Sequence, residues 1–524
     1  MIERGRSLKG FVTAAPIQVE APSRPDRDES SPRELWQHVT PPGSTRFNVP
    51  ASTAARRRLR HQVRNLPPGA SVVLSCAALG SRRRCRQFAR DAGIEILREY
   101  VAIPAVDSPT CYIEDSGAAL RHFFTELVTL PKGSAALSAP LQAMKGVART
   151  FFPATLVGAV VPIRIVVGRV RMNGAALAAY PGIPGTPSSG GLLDLPGMHS
   201  VVLALSKNPN SNITVLLIPH GHRRPTLAVK LPTTPKAEAS IRAERAVLSG
   251  LHARLPSAIV ATIPSLGHLR ELAGTSSLVT TALAGSPMTT RYHSWRHLGN
   301  PSAVRADFLA VEAWLSGFQG ATAGARGPVD MDGGATDIIR MRFGEEPGID
   351  DSLATLAVIH GRLRTTSTPR TAVHGDFWFG NVLMNGERVS GVVDWEAGAA
   401  NGEPVRDLVR FALTYALYLD RHTRAGHRVS GHRGLKAGEW GSGITWAVEG
   451  TGWFPDLLRE FVRGGLARLG ADPERWREAM LAGLAEVAAT ADHLEFARLH
   501  WQLFERLSGE VPALSAGVVS QPSR

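Results

Sequence analysis

The stretch AVHGDFWFGNVLMN, residues 372–385, sets a histidine, an aspartate and two asparagines among apolar and aromatic neighbours. A polar side chain in such a setting must be hydrogen-bonded or carry a function, because burying it unsatisfied costs roughly 2–7 kcal/mol. Asp376 and Asn381 stand five residues apart, after a helix-like run and before short strands. Thirteen residues beyond Asn381, the apolar strand VSGVVDWE supplies Asp394. This order of Asp, Asn and Asp suits magnesium-dependent phosphoryl transfer. One carboxylate positions and deprotonates the attacking hydroxyl. An amide oxygen and a second carboxylate hold the hard cations that bridge nucleotide phosphates. Such chemistry depends on positioning and charge neutralisation more than on a strong nucleophile.

The same chemistry needs a cation for the phosphates and a carboxylate to hold that cation. Lys230 sits late in the strand-like TLAVKLP, and Glu244 follows fourteen residues later in the helix-like IRAERAVL. A strand lysine paired with a glutamate on the next helix is the arrangement kinases use. Either residue alone reads as ordinary surface. Together, upstream of the Asp-Asn-Asp set, they read as part of one site.

These motifs carry a resemblance. HGDFWFGNVL is similar to the HGDxxxxNxL pattern of the aminoglycoside phosphotransferase/choline kinase-like family. VVDWEAGAANGEPVRDLVRF resembles that family's next segment. The likeness extends over roughly 200–510 and implies a bilobal, protein-kinase-like α+β fold with a small β-rich N-lobe and a larger helical C-lobe. It implies an ATP- or GTP-dependent enzyme that uses Mg2+ and phosphorylates a hydroxyl of a small molecule. By the same resemblance Asp376 is the catalytic base, and Asn381 and Asp394 are the metal ligands. Lys230 contacts the nucleotide phosphates and Glu244 orients it. Backbone from Thr281 to Leu283 meets the adenine. His374 buttresses the catalytic loop and Asp407 holds its backbone.

One position departs from the kinase pattern. Kinases cover the phosphates with a glycine-rich loop, whereas the corresponding turn SKNPNSN, residues 206–212, has no glycine. This keeps a second reading open, a non-catalytic kinase-like binding or scaffold protein. Phe377, Trp378 and Phe379 read as packing residues in preference to acceptor contacts. The acids near the C-terminus, Glu486, Asp492 and Glu495, have Arg475, Arg477, Arg498 and Arg506 close in sequence. That balance disfavours a polycationic acceptor.

Length and patterning set the rest. The chain of 524 residues, 44% hydrophobic, is long enough for two to four domains. We expect a disordered tail over 1–50, an α/β accessory unit over 51–180 and a linker over 181–199. The N-lobe then spans 200–283, the C-lobe 284–510, and a disordered tail 511–524. ASVVLSCAAL, SRRRCRQFARDAG and IEILREYVAIP read as strand, helix and strand. They faintly resemble the C-terminal half of a class I methyltransferase, without the glycine-rich turn its cofactor needs. The net charge of +14 is concentrated in part around Arg56–Arg58 and Arg82–Arg84. No nucleic-acid motif accompanies it, so a solvated surface is the expectation. Three cysteines without metal-ligand spacing fit a reducing, cytoplasmic location. The most apolar segment, FFPATLVGAVVPIRIVVGRV, is broken by Pro153, Pro162 and Arg164 and is expected not to span a membrane.

Overall fold

The computed structural model describes residues 35, 40, 43–77, 80–103, 109–127, 163–171, 195–204, 210–269, 276–294 and 296–509. Expectations for 1–34, for 181–194 of the linker, for 206–209 of the glycine-free turn and for 511–524 fall outside these residues.

The chain divides into two compact units. The first comprises Met1–Pro131, Ala136–Arg242 and Ser265–Leu283. The second comprises Lys132–Ala135, Ala243–Pro264 and Ala284–Arg524.

A nine-stranded sheet organises the first unit. Its strands are β1 (Thr45–Asn48), β2 (Ser71–Ala77), β3 (Ile94–Ile103), β4 (Cys111–Glu114), β5 (Ile163–Val170), β6 (Met198–Leu203), β7 (Ile213–Pro219), β8 (Leu227–Leu231) and β9 (Leu278–Thr281). They lie in the order β1-β2-β5-β3-β4-β6-β7-β8-β9. β1 and β2 run parallel, and every other neighbouring pair is antiparallel. Side chains alternate across a strand, and β2 shows it. Val73 joins a cluster with Tyr100, Val215 and Val229. After helix α1 (Thr53–Arg64), Val72, Leu74 and Cys76 join another with Cys85 and Phe88 of helix α2 (Ser81–Ala92). Burial on both faces explains the near-continuous apolar run SVVLSCA.

Two findings differ from the sequence expectation. Residues 45–48, placed in the disordered tail, form β1, and neighbouring Val49 is buried in the core around β2. Strands read as belonging to separate regions, 51–180 and 200–283, share one sheet, because β4 pairs with β6 through Cys111–Leu203, Tyr112–Val202 and Ile113–Val201. Glu114 fastens this seam. It accepts the Ser200 N–H at 2.9 Å, and it meets Arg98 at 3.0 Å and His199 Nδ1 at 2.7 Å. A Pro/Gly/Ser-rich segment marks irregular chain, but nothing in its composition says which strands pair on either side of it.

The second unit is mostly helical. α3 (Pro301–Thr322) starts where Asn300 accepts the N–H of Ser302, with Pro301 in the first turn. Then come α4 (Ala335–Phe343), α5 (Ile349–Leu363), α6 (Val405–Leu417), α7 (Ser442–Glu449), α8 (Trp453–Leu469), α9 (Trp476–Thr490) and α10 (Leu494–Ser508). Between α5 and α6 lie the short strands β10 (Thr371–Val373), β11 (Val382–Asn385), β12 (Arg388–Val392) and β13 (Ala399–Gly402). β11 pairs with β12, and β10 with β13. An aromatic core fixes them from below. Phe377 stacks on Trp314 at 5.3 Å and Phe379 on Tyr292 at 4.3 Å. Trp395 is fully buried beside Phe318. No described helix is long and apolar enough to cross a membrane.

Candidate active site

The loop between β10 and β11 carries His374, Asp376 and Asn381. Its entry requires glycine. Gly375 has φ +79°, and a Cβ there would lie 2.1 Å from the carbonyl oxygen of Ala397. Only a residue without a side chain tolerates both the conformation and the close approach.

Asp407, in the first turn of α6, holds this entry from below. Its two carboxylate oxygens accept the backbone N–H groups of His374 at 2.7 Å and Gly375 at 2.9 Å. Burial pushes the Asp407 carboxyl upward, and those two N–H donors with His374 oppose the shift. His374 is itself buried. Its Nδ1 accepts the Asp376 N–H at 3.3 Å, which leaves Nε2 as the protonated nitrogen, and Nε2 donates to the Val393 carbonyl at 2.9 Å. The ring therefore links the catalytic-type loop to the strand end that precedes Asp394.

Asn381 closes the loop. Its Nδ2 donates to the Asp376 carbonyl at 3.0 Å, so its Oδ1 is the atom left to face a cation. Asp394 has φ +72°, one of two described non-glycine residues in the left-handed region. That conformation costs energy and persists where the surroundings over-determine it. One neighbour is Trp395, whose N–H donates to Glu244 Oε1 at 3.2 Å. Glu244, on the helix Pro235–His252, is 2% exposed and thereby braces the segment after Asp394. An amide oxygen and a carboxylate oxygen suit Mg2+, which takes hard oxygen ligands and keeps waters and substrate phosphates in its remaining positions. Among the described residues no group of three or more His, Cys, Asp or Glu forms a metal cluster.

Arg410 was not apparent from the sequence. Its Nε and Nη2 reach the same oxygen of Asp376, Oδ1, at 3.0 and 2.6 Å, and Oδ2 is left to other partners. Burial pulls the guanidinium pKa down, but the charge and hydrogen bonds of Asp376 outweigh it and hold it above its ordinary value. Arg410 follows Asp407 by three residues on α6, so both project from one face of the helix. That spacing is the signal by which it could have been found. Glu486 of α9 pairs with Arg406 at 3.5 Å. Burial pushes its carboxyl up against the pull of Arg406 and Arg410.

The nucleotide-binding candidates lie apart from this loop in the chain. Lys230 is in β8, opposite Thr214 and Leu278. In the segment expected to meet adenine, the Thr281 N–H donates to the Ser265 carbonyl at 2.8 Å and the Ala282 N–H to the Thr226 carbonyl at 2.9 Å. Leu283 ends the first unit. Phe377 and Phe379 are fully buried and Trp378 is half-buried, so the first two pack the core.

Residues 207–440 match the model of the phosphotransferase enzyme family. This match supports, over that region, the resemblance carried by HGDFWFGNVL and VVDWEAG, and the chain has the mixed α+β architecture expected of it. The phosphotransferase-like region includes the whole loop, Asp394, Asp407 and Arg410. Similar solved structures include an aminoglycoside phosphotransferase, APH(4)-Ia, in a ternary complex with AMP-PNP and hygromycin B. It is 12% identical, with 60% of this chain and 95% of that one covered and a TM-score of 0.38. A choline/ethanolamine kinase family protein from Mesorhizobium loti is 14% identical over 58% and 90% of the two chains, at 0.36. The macrolide 2'-phosphotransferase MphH from Brachybacterium faecium is 15% identical over 60% and 93%, at 0.34. A comparison with curated proteins found no match.

Proposed function

We propose that the protein is a small-molecule O-phosphotransferase that uses ATP or GTP with Mg2+. The observation that supports this most is the state of Asp376. Its backbone N–H is bonded to His374, its carbonyl to Asn381, one carboxylate oxygen to Arg410, and the second oxygen is left for an acceptor hydroxyl. In the proposed step the acceptor oxygen bonds to the γ-phosphorus and the bond from that phosphorus to the β,γ-bridging oxygen breaks. The hydroxyl proton passes to Asp376, and nucleoside diphosphate leaves. Asn381 and Asp394 would hold the magnesium, which neutralises phosphate charge. Lys230 would contact the phosphates and Glu244 would orient it, while backbone from Thr281 to Leu283 would meet the base.

A thermal-shift titration tests the nucleotide half of this reading. ATP or GTP at 100 times its Kd should stabilise the protein by about 2.7 kcal/mol, and only with Mg2+ present. Asp394→Asn should remove most of that effect. Absence of any shift at millimolar nucleotide would favour the non-catalytic scaffold, for which the glycine-free turn at 206–212 is the supporting feature.

A further inference from the structure

Several arginines elsewhere in the second unit meet carboxylates, while others, such as Arg326 and Arg342, donate to backbone carbonyls. Arg291 sits on Asp307 at 2.9 Å, Arg370 on Glu403, Arg406 on Glu486 and Arg410 on Asp376. The segment between α6 and α7, residues 418–441, is different. It carries Arg421, Arg424, Arg428, Arg433 and Lys436 against two acids, Asp420 and Glu439. Among the described residues, none of these five cations has a carboxylate within ion-pair distance. Asp420 is used to close the loop, accepting the Gly438 N–H at 3.4 Å and the Ser442 hydroxyl at 3.3 Å. The Gly426 N–H donates to the Ala437 carbonyl and the Ala437 N–H to the His427 carbonyl, and Arg428 pairs with Lys436 in an antiparallel bridge. The loop is therefore an ordered hairpin-like element that presents like charges together.

Its base borders the reacting groups. Tyr418 lies 5.9 Å, centre to centre, from Phe379 of the catalytic-type loop. The Arg421 guanidinium stands 5.5 Å from the Tyr418 ring. His422 Nε2 is 2.9 Å from His293 Nδ1, and His293 packs on Phe379. The other end returns to the same place. Trp440 contacts the ring of His500 at 4.8 Å, and His500 feels the charge of Arg410. Arg421 is half-buried, and its loss of solvent, opposed only weakly by the Tyr418 and Tyr292 hydroxyls, pushes its pKa down. A cation drawn out of water without an acid partner is unfavourable unless a ligand supplies the anion. Of the acids around the loop's base, Asp376 holds Arg410 through one carboxylate oxygen, Glu486 meets Arg406, Asp307 meets Arg291, and Asp420 is used by the loop's own Gly438 and Ser442.

We infer that loop 418–441 is the anion-recognising wall of the acceptor site, so that the molecule phosphorylated carries a carboxylate or phosphate group as well as its reacting hydroxyl. Arg421 is nearest the catalytic loop, and Arg424, Arg428 and Lys436 extend the positive surface outward. The inference rests on the phosphotransfer reading above and narrows its acceptor.

Four sugars that differ in charge test it on the full chain: glucose, glucuronate, glucose 6-phosphate and glucosamine. Transfer is followed with γ-labelled nucleotide, and binding of each sugar is measured separately by calorimetry. The expected result is at least a tenfold preference in kcat/KM for the anionic sugars over glucose, with glucosamine the poorest. That preference should shrink as salt rises. Arg421→Gln should cut the anionic-to-neutral ratio about tenfold, mainly through KM, and should weaken calorimetric binding of the anionic sugars in parallel. The phosphate and carboxylate arms tell the two anions apart. Best activity with glucosamine, or a ratio unchanged in Arg421→Gln, would overturn the inference. So would calorimetric binding without anionic preference. If Arg424→Gln/Arg428→Gln instead abolishes salt-sensitive binding of a short DNA duplex and leaves the sugar ratio intact, the loop serves a nucleic acid and the inference falls. Anionic binding that depends on Arg421, without transfer to any sugar, would support the anion site and count against the phosphotransfer reading alone.

Discussion

Asp407→Asn isolates the brace under the catalytic-type loop. The carboxylate accepts two backbone N–H groups, one on each oxygen, at 2.7 and 2.9 Å, and is 1% exposed. Asparagine has the same shape but a single acceptor. Its NH2 group must face either the His374 or the Gly375 N–H, donor against donor. One hydrogen bond to a charged group, about 1.5–3 kcal/mol, is lost, and a buried N–H is orphaned. Part of this is returned, because burial already penalises the charged form of Asp407. The net cost should be about 2–3 kcal/mol. For a unit of this size 1 kcal/mol moves Tm by roughly 2–4 °C, so the expected drop is about 4–12 °C. Tryptophan fluorescence is a suitable probe, because nine of the ten tryptophans lie at residue 295 or beyond. Asp456→Asn, at a side chain 68% exposed, serves as the control and should change little. A drop below about 1 °C for Asp407→Asn would refute the reasoning that these two bonds hold the loop.

Other consequences concern backbone space, acid stability and the first unit. Gly375→Ala should destabilise the second unit by several kcal/mol and abolish transfer, since its Cβ meets the Ala397 carbonyl and φ is +79°; a folded, active variant would contradict the packing described. Burial lowers His500 to about 3 and His432 to about 4, both below the unfolded value of about 6.5. The unfolded chain therefore binds protons that the folded chain refuses as pH falls below 6.5. The stability these histidines contribute is complete above that pH and lost towards pH 4, at up to about 1.4 kcal/mol per unit for each. Urea midpoints at pH 7, 6 and 5 should record this, and His500→Phe should make the decline shallower by about one proton. Glu114→Gln should destabilise the first unit by about 2–4 kcal/mol through the loss of the buried ion pair with Arg98 and of the carboxylate contact with His199; far-UV unfolding unchanged within 0.5 kcal/mol would count against Glu114 as the fastener between β4 and β6.

Local chemistry was legible in the sequence, and pairing between distant segments was not. HGDFWFGNVL announces a loop because glycine, acid and amide stand at fixed offsets among core aromatics. The structure brings the offsets together through bonds that are themselves local, such as His374 Nδ1 with the Asp376 N–H. Asp407 is legible as a helix-start acid, although its hydrogen-bond partners lie more than thirty residues away. Arg410 escaped notice because arginines are frequent here and only its position on α6 singles it out. The nine-stranded sheet escaped notice for a different reason. Tyr112 and Val202 each look like half of a strand, and nothing in the intervening prolines and glycines says that they face each other. The loop at 418–441 reads as one more basic stretch until its cations are seen to lack acid partners among the described residues.

The most direct test of the central claim is transfer of labelled γ-phosphate from nucleotide to an acceptor panel by the wild-type chain and by Asp376→Asn. The account predicts Mg2+-dependent transfer by the wild type, a fall of two or more orders of magnitude in kcat for Asp376→Asn, and nucleotide affinity within a few-fold of wild type. Equal turnover by the two proteins would contradict it.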